Sequence, residues 1–340
     1  MSATTQEARR GSGPARAPRA AAPRRGFAPR GMVWLVWRQH RATFLVMLGG
    51  TVLATAALLY KGVYVHEAVA AVDGGDPTPG DDATVADAYS ALQAYGAALA
   101  GLPFLVGAFV GAPLFAGDLE SGTAKLVGVQ SRSRTEWVAT KLAVAALFSA
   151  LAAGAMGAAL HYYRAPLVEH DASQADFTLS NSFDSTGPVA VVLVLIGLLV
   201  GATVGLLFRR MLPSMVVTLV SLYVLNFAWE LARMAFARLE TVTTGGGRFG
   251  DDDRPRIPRD AVEIDLSYLR SDGSLTGWST CVNAENGPAC LREDGVVGWA
   301  VDYMPYSHFG AMQWTAAAAL TGALLLIGVV TAYAARRTLR

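Results

Sequence analysis

Charge is what this chain has least of. Only 16% of its 340 residues are Asp, Glu, Lys or Arg, where a soluble domain carries about a quarter. That shortfall excludes an ordinary water-soluble globule. Cysteine is nearly absent. Cys281 and Cys290 are too few, and not spaced, for a structural zinc site, so no metal centre is expected. The five histidines (His40, His66, His161, His170 and His308) are scattered and make no HExxH pair. A GxSxG nucleophile elbow is missing. Gly117 and Gly122 stand at the spacing of a phosphate loop, but Thr123-Ala124 fills the place of its Lys-Ser/Thr. The expectation is a non-enzymatic chain that holds no cofactor and takes any energy from elsewhere.

What is present is hydrocarbon. Residues of hydrophobic type make up 53% of the chain and the mean hydropathy is +0.35. They fall in separate blocks of about 17–25 residues, the length of a bilayer-crossing helix. The fold class expected is an all-α polytopic membrane protein with six transmembrane helices, near 42–60, 92–116, 134–162, 188–208, 212–231 and 311–335.

Residues 1–30, rich in Ala, Arg, Gly and Pro with Glu7 as the single acid, predict a disordered basic tail against an anionic leaflet. No interleaved aromatics accompany its arginines, so nucleic-acid binding is not expected. Residues 31–41 mix Trp34 and Trp37 with Arg38 and Arg41, which predicts a short interfacial amphipathic helix before the first span. Spans one to five are then placed within 42–239. Residues 61–90 read as an acidic loop turning at Gly74–Gly80. Pro103, Pro113 and the pair Gly107 and Gly111 predict a kinked, closely packed second span. Gly197, Gly201 and Gly205 form a flat ridge on the fourth, expected to serve internal helix packing. Asn226 and Glu230, four apart, are candidate pathway residues of the fifth.

Residues 240–310 make the one sizeable polar region, a loop before the last span, with Val262, Ile264 and Leu266 alternating as in a strand. Its aromatic end, Trp299, Tyr303, Tyr306, Phe309 and Trp314, reads as an interfacial belt. The segments 1–41, 117–141, 209–210 and the 336–340 tail together hold eighteen lysines and arginines, whereas the short loops of the other side hold Lys61 and Arg164. The positive-inside rule then puts both termini in the cytoplasm. Cys281 and Cys290 face the oxidising side, where a disulfide between them is expected to contribute roughly 2.5–3 kcal/mol.

Most informative is the polar stretch between spans two and three, where Asp118, Glu120, Lys125, Arg132, Arg134, Glu136 and Lys141 crowd together. Ser133-Arg-Thr-Glu136 matches a capping box at the start of the third span. Asp118-Leu-Glu120-Ser-Gly122-Thr123, Ser131-Arg-Ser-Arg134 and Lys141 resemble the Glu-x-Gly-Thr … Ser-Arg … Lys pattern of type 2 ABC (ATP-binding cassette) transporter permeases. Tyr303–Trp314 resembles the approach to the last span in such permeases of high-GC bacteria. The chain departs from the pattern at Val129-Gln130, where many relatives carry a proline.

The resemblance implies a coupling helix within 117–136, with Asp118, Glu120, Gly122, Thr123, Arg132, Arg134 and Lys141 facing a separate ATPase subunit that holds ATP and Mg. It also implies a second permease chain, identical or homologous, a bacterial cell membrane, and export of an amphipathic or hydrophobic substrate. Two rivals are an ion- or proton-coupled secondary transporter, which calls for embedded acids and repeated discontinuous helices, and a non-transporting membrane scaffold or sensor.

Overall fold

The computed structural model describes residues 32–122, 134–244 and 253–338. The 1–30 tail, the middle of the coupling segment, residues 245–252 and the last two residues of the 336–340 tail lie outside them. Six helical rods among the described residues are long and apolar enough to cross a membrane. The mostly helical fold class expected from the hydropathy blocks is therefore the one observed.

The first rod is α1 (Met32–Asp73). The separate interfacial helix and first span of the sequence reading are one uninterrupted helix. It also runs on through the segment read as an acidic loop. Val65, Ala68 and Val69 are buried at helical spacing while Glu67 stays exposed, so an amphipathic helix carries the acids on its outer face. The turn itself is short. Gly75 takes a left-handed φ of +77°, and the Thr78 amide donates to Asp81 Oδ2 at 2.7 Å to start the next helix.

The second rod is broken: α2 (Pro79–Ala100), α3 (Leu102–Val106), a π-helical turn at Gly107–Gly111, and α4 (Ala112–Glu120). The third, α5 (Arg134–Asp171), carries Pro166 inside it and extends past the end expected near residue 162. A short α6 (Ser180–Phe183) leads into α7 (Gly187–Phe208), then α8 (Met211–Arg233). Helix α7 is the most buried rod. It packs on the broken second rod, on α5, on α8 and on the last helix, while α1 lies along α5.

The 240–310 region is a small antiparallel sheet: β1 (Glu240–Thr243), β2 (Ala261–Arg270), β3 (Leu275–Gly277) and β4 (Val296–Pro305), in the order β1-β4-β2-β3. The predicted alternation at Val262, Ile264 and Leu266 lies in β2, which pairs Leu266 with Val301 and Tyr268 with Trp299. Helix α9 (Gly287–Glu293), capped by the Asn286 side chain accepting from the Ala289 amide at 3.1 Å, covers one face. Tyr268, Leu291, Val296 and Trp299 form its own small core. Cys281 and Cys290 are joined as a disulfide beside it. Val262 and Met304 instead belong to the core of the helix bundle with Phe309 and Met312, so the sheet is seated on one end of the bundle. The last rod, α10 (Phe309–Thr338), returns from the sheet to the other end.

Candidate functional site

The two ends of the bundle differ, and each gathers polar side chains. At the end away from the sheet, α4 stops where Ser121 caps it and Gly122 takes a φ of +74°, a conformation that glycine adopts without strain. One turn earlier, buried Asp118 accepts hydrogen bonds from Gln39 Nε2 of α1 and from Lys141 Nζ of α5. Lys141 is wholly buried. Its ammonium also donates to the Leu114 carbonyl at 3.0 Å and lies 4.9 Å from the Trp137 ring centroid. The low dielectric around this pair makes its attraction large, and the carbonyl and the ring satisfy more of the ammonium. Asp118 and Lys141 are thus turned inward. They weld the first three rods together and present almost no surface to a second subunit.

Glu120 is placed differently. Its Oε2 accepts the Met211 amide at 2.9 Å, across 91 positions of sequence. Met211 is the first residue of α8, following Arg209, whose φ of 56° makes the sharp basic turn after α7. A carboxylate there satisfies a free amide and meets the positive end of the α8 dipole. The end of the second span therefore grips the start of the fifth. Thr123 and Arg132 lie outside the described residues, as do Ser133 of the capping box and the Arg134 side chain, although α5 does begin at Arg134.

The glycines predicted to pack do meet backbone. A methyl carbon at Gly201 would sit 2.1 Å from the Gly107 carbonyl, at Gly205 2.3 Å from that of Ala112, and at Gly197 2.3 Å from that of Pro103. Gly107 and Gly111 face the Gly197 and Leu198 carbonyls in return. The ridge on α7 is filled by the broken second rod.

At the sheet end, an apolar cavity of about 260 Å³ opens between the second, fourth, fifth and sixth rods, lined by Pro103, Leu193, Leu222, Asn226 and Leu320 among others. Asp184, following α6, and Trp229 also line it. Asp184 is only 5% exposed and accepts from Trp229 Nε1 at 2.9 Å. Burial pushes its carboxyl up to about 7, with Glu230 adding to the rise, while the Trp229 bond and Arg233 oppose it. Glu230, the other predicted pathway residue, is paired with Arg233 Nε at 3.1 Å. Of the two predicted pathway residues, Asn226 alone lines the cavity.

Two buried charges escaped the sequence reading. Asp184 sits in a loop by hydropathy, and only its Phe183 neighbour hinted at burial. Arg164, counted as a loop cation, is wholly buried on α5. It bonds Ser182 O and Oγ at 3.3 Å and stacks 4.5 Å from the Phe309 ring centroid. Of the aromatic residues leading into the last span, Tyr306 and Phe309 flank the Arg164 guanidinium and Trp299 fills the sheet core, while Trp314 stays exposed.

A family model described as "ABC-2 membrane transporter related" matches residues 44–233, more than half of the chain, from within the first rod to the end of the fifth. Neither a curated protein nor a solved structure matches the chain significantly.

Proposed function

Because the chain belongs to the ABC-2 membrane transporter related family, we propose that it is the membrane-spanning permease subunit of an ABC exporter. Two permease chains, identical or homologous, form the path, and two separate ATPase subunits supply ATP, Mg and hydrolysis. The ATPase docks on the segment 117–136 at the cytoplasmic face, where both ends of the described chain also lie. The cargo is amphipathic or hydrophobic.

One observation carries the reading: the Glu120 carboxylate is bonded to the first amide of α8. A push on the segment after Glu120 reaches α8 directly, and α8 lines the cavity at the opposite end through Leu222, Asn226 and Trp229. Asp118 and Lys141 make the corner stiff enough for the push to move rods rather than bend a loop.

The test pairs a pull-down with one variant. A mild-detergent pull-down of the tagged chain from native membranes should recover an ATPase with Walker motifs, lost when residues 120–134 become a neutral linker. Glu120→Ala should insert normally and retain the ATPase while transport per ATP hydrolysed falls about tenfold or more. Transport at the wild-type level in that variant would remove Glu120 from the coupling path.

A further inference from the structure

A purely hydrocarbon cargo requires no ionisable group, yet the cavity at the sheet end has one. Asp184 Oδ1 is fixed by Trp229, while Oδ2 has no hydrogen-bond partner among the described residues. The remaining lining is almost wholly apolar: Leu193, Ile196, Leu222 and Leu320 come from three different rods. The charges around Asp184 are already engaged. Glu230 and Arg233 are paired, Arg233 also donates to the Thr178 carbonyl, and Arg164 reaches the same turn only through Ser182 and Thr186. A carboxyl with one fixed and one open oxygen, at the sheet end of an apolar space, is matched by a positive head on a hydrocarbon body.

We propose that this cavity binds an amphipathic organic cation, its ammonium head against Asp184 Oδ2 and its hydrocarbon against Leu193, Ile196, Leu222 and Leu320. The assignment names the cargo class of the permease reading and rests on it. A bound cation favours the ionised carboxyl. Since burial has raised that carboxyl to about 7, binding near neutral pH releases a proton to solvent as the ammonium takes its place. Neutral Asp184 at lower pH competes with the cation.

The probe is benzyltrimethylammonium, which cannot itself titrate, with neopentylbenzene as its uncharged isostere. Equilibrium dialysis of the purified full chain in detergent should show saturable binding of the cation that the isostere does not displace. Affinity should be about tenfold or more higher near pH 8 than near pH 5.5. Asp184→Asn should lose about tenfold or more, and Glu293→Gln, an exposed acid at the end of α9 outside the cavity, should keep the wild-type affinity. Ala323→Phe, which fills the cavity and spares the carboxyl, should also lose it, so the test stands even where Asp184→Asn fails to fold. Equal affinity for cation and isostere, a flat pH profile, or wild-type binding in Ala323→Phe would overturn the assignment. Binding requires no ATPase. Cation binding by the purified chain, with no ATPase recovered in the pull-down from native membranes, would overturn the permease reading alone and leave the site standing.

Discussion

At the scale of single residues, the buried charges decide most. Asp118 and Lys141 would each cost several kcal/mol if buried alone, and together with Gln39 and the Leu114 carbonyl they offset much of that cost. Removing one partner should therefore hurt more than removing both. Lys141→Ala is expected to destabilise the purified protein by about 3–5 kcal/mol, because it strands the Asp118 carboxylate. The double variant Asp118→Asn, Lys141→Met should recover a large part of that loss. Thermal unfolding in one detergent compares them. A single variant as stable as the double would show that the pair does not lock the corner. The sequence displayed both residues as charges flanking a polar segment, which is how partner-facing residues look as well. Their inward turn was not legible, because it depends on Gln39, 79 positions away from Asp118. Asp184 was hidden for a similar reason: its partner Trp229 is 45 positions on, and neither residue has a distinctive neighbourhood.

Among the elements, the second span and α7 are halves of one contact. Pro103, Pro113 and the paired glycines announced a kink, and the four-residue spacing on α7 announced a flat face. That the two meet was not in the pattern, since glycine spacing describes a face without its partner. The π-helical turn at Gly107–Gly111 was equally unannounced: it lies where the second rod fits over the ridge, with Gly107 against Gly197 and Leu222. Helix ends were misplaced where acids sat on the exposed side of an amphipathic stretch, as in α1 and α2, because hydropathy averages over both faces. Gly201→Ala tests the contact. Its methyl would have to displace the Gly107 carbonyl, at an expected cost of about 1–3 kcal/mol or more. Gly49→Ala, whose methyl would meet no other packed group within 4 Å, should instead be neutral or slightly stabilising. If both substitutions left the unfolding temperature unchanged, the ridge would not be the close contact between these rods.

For the whole molecule, the decisive property is that its ends are unlike. Among the described residues, the start of α1, the Arg209–Arg210 turn, the Glu120 grip and the Asp118–Lys141 pair share one end; the sheet, the disulfide and the cavity mouth with Asp184 share the other. Charge counting in the sequence already separated these groups, because positive residues sort by side whatever the helices do between them. The separation gives the orientation a direct test, since Cys281 and Cys290 are the only cysteines and are joined to each other. Intact cells treated with a membrane-impermeant maleimide should leave the chain unlabelled until a reductant is added, and then label it at both cysteines. Thr338→Cys, at the far end of α10, should label only after the cells are permeabilised. The reverse pattern would place the Glu120 corner outside the cell, where no ATP is available to a docked subunit. The coupling route from Glu120 to α8 would then have nothing to drive it, and the cavity at Asp184 would open toward the cytoplasm, as a sensor of internal cations requires.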